Sequence, residues 1–156
     1  MKPSERLATA IETAITYSVH QKYEYVTPET ILLFICKDEV FANAFAECDG
    51  DIGELENDLL QYLDRYMEKN SGDSVELSAS VVRALAISEQ SALNSGAEEI
   101  RISHLIHALF MLKDSHAVYY IQMQDITEVD LLRALTEYEE EDNDAESDSE
   151  LRKRKS

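Results

Sequence analysis

Glycine and proline are scarce, at four and two residues in 156. A β architecture built on many tight turns needs more of both, so long helices are the expectation. Two cysteines are too few for a disulfide framework. Cys36 follows the apolar run 31–35 and reads as a small buried thiol. No apolar stretch approaches the roughly 18 residues that a membrane-spanning helix requires. The start, Met1-Lys2-Pro3-Ser4-Glu5-Arg6, has no apolar segment of the secretory kind, and a cytoplasmic chain with no membrane partner is expected.

Positive charge is also in short supply. Fourteen Lys and Arg face 32 Asp and Glu, a formal net charge of -18. Nine acids fall within residues 137–150 and four bases within 152–155, which leaves 23 acids against 10 bases in residues 1–136. The folded part is therefore acidic in its own right. Nucleic acid would be repelled, because phosphate binding needs clustered Lys and Arg. A partner with a basic or cationic surface would be attracted.

The usual signatures of catalysis are missing as well. There is no G-x-x-x-x-G-K-[ST], and Gly50, Gly53, Gly72 and Gly96 are too scattered to cradle a phosphate. There is no G-x-S-x-G, and no catalytic signature surrounds Cys36 or Cys48. His104 and His107 stand three apart on a predicted helix, with Asp114 and His116 nearby, a spacing that a zinc site can use. The competing reading sets one of these histidines toward the core and the other toward solvent. No catalytic residue, metal or cofactor is expected, and a small helical enzyme is the weakest reading of the chain.

What the chain does contain is a repeat, offset by about 74 residues. Residues 25–33, Tyr-Val-Thr-Pro-Glu-Thr-Ile-Leu-Leu, align with 99–107, Glu-Ile-Arg-Ile-Ser-His-Leu-Ile-His. Asp51-Ile-Gly-Glu-Leu55 aligns with Asp125-Ile-Thr-Glu-Val129, and 40–45 align with 115–120 after one residue of slippage. In this register His104 and His107 match Thr30 and Leu33, which are not ligand types. A duplicated unit with helical apolar spacing predicts two similar bundles packed against each other. Hydrophobic residues make up 44% of the chain, enough for one domain with a substantial core.

Cap signals divide each half into four helices. Ser4 caps a first helix to about His20, with Leu7, Ala8, Ile11, Ala14, Ile15 and Ser18 on one face. Thr27-Pro28-Glu29 reads as N-cap, N1 and N2 of a second, nearly all-apolar helix. A third spans about 39–47. Asp51 and Glu54 open a fourth with a capping-box pair, which Asp125 and Glu128 are expected to repeat. The second half places helices at about 79–95, 103–112, 115–123 and 127–138. The domain is thus 1–138, with repeats of about 1–70 and 76–138. Residues 139–156, acidic and then basic, are expected to be a disordered linker or tail. Tyr17, Tyr23 and Tyr25 cluster near the end of the first helix as core edges or interface anchors.

These motifs resemble a known family. The duplicated plan, Tyr25-Val-Thr-Pro-Glu-Thr-Ile-Leu-Leu33 and Ser103-His-Leu-Ile-His-Ala-Leu109 are similar to the Clp N-terminal repeat domain of AAA+ unfoldases. Asp114-Ser-His-Ala117 and Asp125-Ile-Thr-Glu-Val-Asp-Leu-Leu132 are nearest the ClpA branch, the ATP-binding subunit of the Clp protease. The resemblance implies an all-α fold of eight helices in two pseudo-twofold four-helix repeats. It implies a non-catalytic domain that docks substrates and a ClpS-like adaptor, on a parent whose ATPase modules follow and which associates with a Clp peptidase. Two acidic positions that contact the adaptor in that family match Glu24 and Glu29. Thr30 stands where the family usually has His, and the approach 76–80 is longer than the family pattern, so no contact is carried over from 76–83. The alternative is a free-standing acidic helical binding or inhibitor protein, which would need its acids in one continuous stripe.

Overall fold

The computed structural model describes the backbone of residues 1–70 and 72–155, and their side chains except at 147–151 and 154–155. Among the described residues there are eight helices: α1 (Glu5–His20), α2 (Pro28–Ile35), α3 (Glu39–Glu47), α4 (Ile52–Tyr66), α5 (Ala79–Asn94), α6 (Ile102–Met111), α7 (Ala117–Gln122) and α8 (Glu128–Lys155). Two-residue strands, β1 (Tyr25–Val26) and β2 (Glu76–Leu77), complete the chain. The fold is all-α.

Local chemistry sets most helix starts. Ser4, Thr27, Asp38, Asp51 and Ser78 each accept an amide of the first turn on a side-chain oxygen, which satisfies a group the helix leaves unpaired. Gly96 follows α5 at a φ of 73°, a left-handed position that only glycine adopts at no steric cost.

Helix packing interleaves the two halves. α1 lies on α2, and α5 lies on α6 in the same way. Small residues spaced by four allow these approaches: Ala10, Ala14 and Ser18 on α1, and Ala84, Ser88 and Ala92 on α5, all at most 3% exposed. Each stripe holds one serine, whose hydroxyl donates to the carbonyl four residues earlier, Ser18 to Ala14 at 2.8 Å and Ser88 to Ala84 at 2.6 Å. Neither hydroxyl is left unpaired in the core. The next contacts cross over, with α3 packing on α8 and α4 on α7. Each half thus lays its third helix on the fourth helix of the other. Ile31, Leu32, Ile35, Phe41, Phe45, Leu55, Leu59 and Leu63 of the first half join Ile102, Leu105, Ile106, Ile121 and Leu131 of the second in one core. Each fully buried aliphatic side chain contributes roughly 2 kcal/mol by leaving water.

Short parallel pairings clamp the halves together. The Ser78 amide donates to Val26 O at 3.0 Å, beside the β1–β2 register of Tyr25 with Glu76 and Val26 with Leu77. Seventy-four residues earlier, the Ser4 amide donates to Ile100 O at 2.7 Å, beside a parallel bridge between Pro3 and Ile100. The approach to each repeat's first helix therefore pairs with the approach to the other repeat's second helix.

Two sequence expectations change. Asp125 does not cap α8; it adopts a φ of 59° after α7, as Asp49 does at 61° after α3. Thr127 caps instead, its hydroxyl accepting the Asp130 amide at 3.2 Å. The offset here is 76 residues, with Asp51 equivalent to Thr127. At this crossing Ile126 lies so near Gly50 that a Cβ on Gly50 would sit 2.7 Å from Ile126 Cδ1. The Gln124 side chain also exchanges two hydrogen bonds with the Asp51 backbone, at 2.7 and 3.1 Å.

The second change concerns residues 139–155, which continue α8 as helix where disorder is expected from composition. Two acids of that run have partners elsewhere in the fold. Glu139 is buried and accepts the Ser103 amide at 3.1 Å, and Asp142 forms a two-pronged pair with Arg6 at 2.9 and 3.0 Å. Arg6 also holds Asp38, the cap of α3, at 2.9 Å.

Candidate functional site

The segment joining α1 to α2 carries both acids singled out from the sequence. α1 stops at His20, and Lys22 at a φ of 61° turns the chain back. Tyr23 is 4% exposed and stacks edge-on against Tyr17, with ring centres 6.1 Å apart. Tyr17 in turn leans on Phe34 at 5.2 Å. Tyr25, 40% exposed, faces outward. Of the three clustered tyrosines, two are core edge and one is surface.

Glu24 is held by its backbone on two sides. Its amide donates to Glu68 O at 3.0 Å, and its carbonyl accepts the Glu76 amide at 3.3 Å. Three glutamates from separate segments, the α1–α2 link, the end of α4 and the approach to α5, are thereby brought to one edge by their backbones. Lys22 and Lys69 come to the same edge, since Tyr23 bridges Lys69 and the Asn70 amide donates to Lys22 O at 2.9 Å. Glu68 and Glu76 are exposed and Glu24 half-buried. Glu76 belongs to the stretch from which no contact was carried over, and a two-residue strand pairing has no periodicity that would reveal it in sequence.

Glu29 is placed differently. It is 4% exposed, so its expected role as a surface contact is corrected to an internal one. The Ser115 hydroxyl donates to Glu29 Oε2 at 3.4 Å. Burial pushes the carboxyl above its ordinary range, opposed by the Glu29 amide, the Tyr62 hydroxyl and His116. Burial and the Glu29 charge together push the Tyr62 phenol up to about 12. Glu29 thus ties the N-terminus of α2 to α4 and to the start of α7.

The histidines of the zinc reading part company. His104 Nδ1 accepts the Arg101 amide at 2.8 Å, doing the work of the Glu in a capping box, and burial lowers its pKa. His107 Nδ1 lies 2.7 Å from Glu128 Oε1 on α8. Among the described residues no three His, Cys, Asp or Glu side chains are grouped as metal ligands. Cys36 is buried, and burial pushes its thiol up, away from the reactive thiolate. No helix among the described residues is long and apolar enough to cross a membrane.

Sequence comparison matches residues 2–124 to the family described as the Clp repeat (R) N-terminal domain. A "ClpA homolog protein" of Fuscovulum blasticum is 27% identical over 134 residues, covering 81% of this chain and 16% of the relative. A "Chaperone protein ClpB" of Brucella suis biovar 1 (strain 1330) is 25% identical over 139 residues, covering 87% and 16%. The chain therefore spans about one sixth of the length of these relatives. In three dimensions it is similar to the Hsp104 N-terminal domain from Candida albicans, with a TM-score of 0.76 and 11% identity over 86% of this chain and 89% of that one. At that identity the likeness concerns the fold alone.

Proposed function

This chain belongs to the Clp repeat (R) N-terminal domain family, and from that premise we propose that it is a protein-docking domain. It receives an adaptor and substrate chains for a ClpA-type, ATP-dependent unfoldase and performs no catalysis itself. The ATPase modules lie in the remainder of a parent of the length its relatives have, and that parent works in the cytoplasm with a Clp peptidase. The adaptor is ClpS-like, and it meets the acidic edge at Glu24.

One observation carries this reading. Backbone hydrogen bonds from Glu24 to Glu68 and from Glu76 to Glu24 bring three carboxylate-bearing positions from three segments to one edge. A preorganised acidic edge steers a basic partner and loses little entropy on binding. Tyr25, exposed beside Glu24, adds an aromatic anchor. Glu29 contributes from beneath, by fixing the start of α2.

Amide chemical-shift mapping tests the reading. With labelled chain and unlabelled ClpS-like adaptor, shifts are expected to concentrate at residues 21–27, 68–70 and 74–78. Glu24→Lys is expected to weaken binding by about 1–3 kcal/mol with folding intact. Shifts confined to α6 and α8, with Glu24→Lys binding as the parent does, would contradict it.

A further inference from the structure

Where α4 crosses α7, five aromatic rings meet on the surface. Tyr62 lies 5.1 Å from Tyr66, 5.0 Å from His116 in a stacked arrangement, and 6.4 Å from Tyr120 edge-on. Tyr119 continues the group, 5.5 Å from Tyr120 and 6.4 Å from His116. Tyr62 and Tyr120 are half-buried, but Tyr66 is 60% and Tyr119 53% exposed. Tyr66 and Tyr119, from two helices of different halves, thus present their rings to water in one place, backed by half-buried Tyr62 and Tyr120. Such rings are enriched in protein interfaces. Neither Glu24 nor the β1–β2 edge belongs to this cluster.

Charge selects the occupant. The carboxylates that bear on Tyr62 and Tyr120 are Glu29, enclosed beside the cluster, and Asp58, one turn before Tyr62 on α4. The field at the rings is therefore anionic, in a chain whose net charge is -18. A second copy of the chain and a nucleic acid are both repelled by that charge. A cation over the face of a tyrosine is attracted by the ring quadrupole, and a planar guanidinium also stacks on the ring where an ammonium does not. We propose that the Tyr62, Tyr66, His116, Tyr119 and Tyr120 cluster is a second docking site, which takes exposed arginine side chains of a protein partner. The site goes beyond the adaptor edge and does not depend on it.

The test uses the whole 156-residue chain and two short fluorescent peptides, one of alternating arginine and serine and one of alternating lysine and serine. Both carry the same charge, so general attraction to an acidic protein acts on both equally. Fluorescence anisotropy at low salt is expected to show the arginine peptide binding about fivefold more tightly. Tyr66→Ala with Tyr119→Ala removes two exposed rings and no charge, and far-UV circular dichroism checks its helix content. That variant is expected to lose the arginine preference, while Tyr66→Phe with Tyr119→Phe and Glu24→Lys each keep it. Equal affinity for the two peptides in the parent chain overturns the proposal, as does a preference that survives in the folded double alanine variant. Failure of the adaptor edge reads out separately, as loss of ClpS-like binding with the arginine preference intact.

Discussion

The hydroxyl of Ser115 donates to the buried carboxylate of Glu29, 86 residues away in the chain, across 3.4 Å. This contact joins the start of α2 in the first half to the start of α7 in the second. It makes a residue with the sequence signature of a surface acid part of the junction between repeats.

The junction has a pH signature. Burial raises the Glu29 carboxyl above its ordinary range, so the folded chain holds that proton more tightly than the unfolded chain does. The stability linked to this group is complete below the unfolded pKa and is lost as pH rises through the folded one. Glu29→Gln preserves shape and an acceptor while removing the charge. Thermal melts followed by circular dichroism are expected to show the variant gaining on the parent from about pH 4 to about pH 7. Glu139, whose carboxyl is raised in the same direction, is present in both proteins and cancels in the difference. A flat difference in Tm across that range contradicts the assignment.

α8 beyond Tyr138 is predicted to be structural. Glu139 supplies the Ser103 amide with an acceptor that α6 lacks locally, because its N-cap residue, Arg101, has no side-chain acceptor. Glu139→Ala is expected to destabilise the chain by about 1–2 kcal/mol in urea melts, with Glu139→Gln recovering most of the loss. An alanine variant as stable as the parent would mean that water caps α6 equally well.

How much of this was legible in the sequence depended on the range of the interaction. Ser4, Thr27 and Asp51 cap amides three residues away, so short stretches were enough to locate α1, α2 and α4. The fold class followed from that and from the repeat. The pairing of Ser78 with Val26 and of Ser4 with Ile100 joins distant two-residue segments and leaves no periodic trace. The burial of Glu29 was hidden for a related reason: Thr-Pro-Glu opens a helix identically whether or not another helix start lies over the Glu. Composition marked 139–150 as unable to bury apolar surface, but Glu139 and Asp142 gain polar partners in Ser103 and Arg6 instead. The tyrosines at 62, 66, 119 and 120 form one cluster only because α4 and α7 cross.

The halves approach each other closely at Gly50. A Cβ there would stand 2.5 Å from the Phe45 ring and 2.7 Å from Ile126 Cδ1, and both side chains are held in the core. Gly50→Ala is expected to lose about 1–3 kcal/mol of stability by overpacking, measured by urea denaturation. Gly53→Ala is the control, since its nearest neighbour would be 3.4 Å away and the residue lies exposed on α4. Equal effects at the two glycines would contradict the close approach of Ile126.

A calorimetric titration of this chain with a ClpS-like adaptor, at low and at high salt, tests the docking role most directly. Saturable binding that weakens as salt rises is the predicted result, because the Glu24, Glu68 and Glu76 edge acts through charge. A folded chain that gives no saturable heat with the adaptor at high micromolar concentration would contradict it.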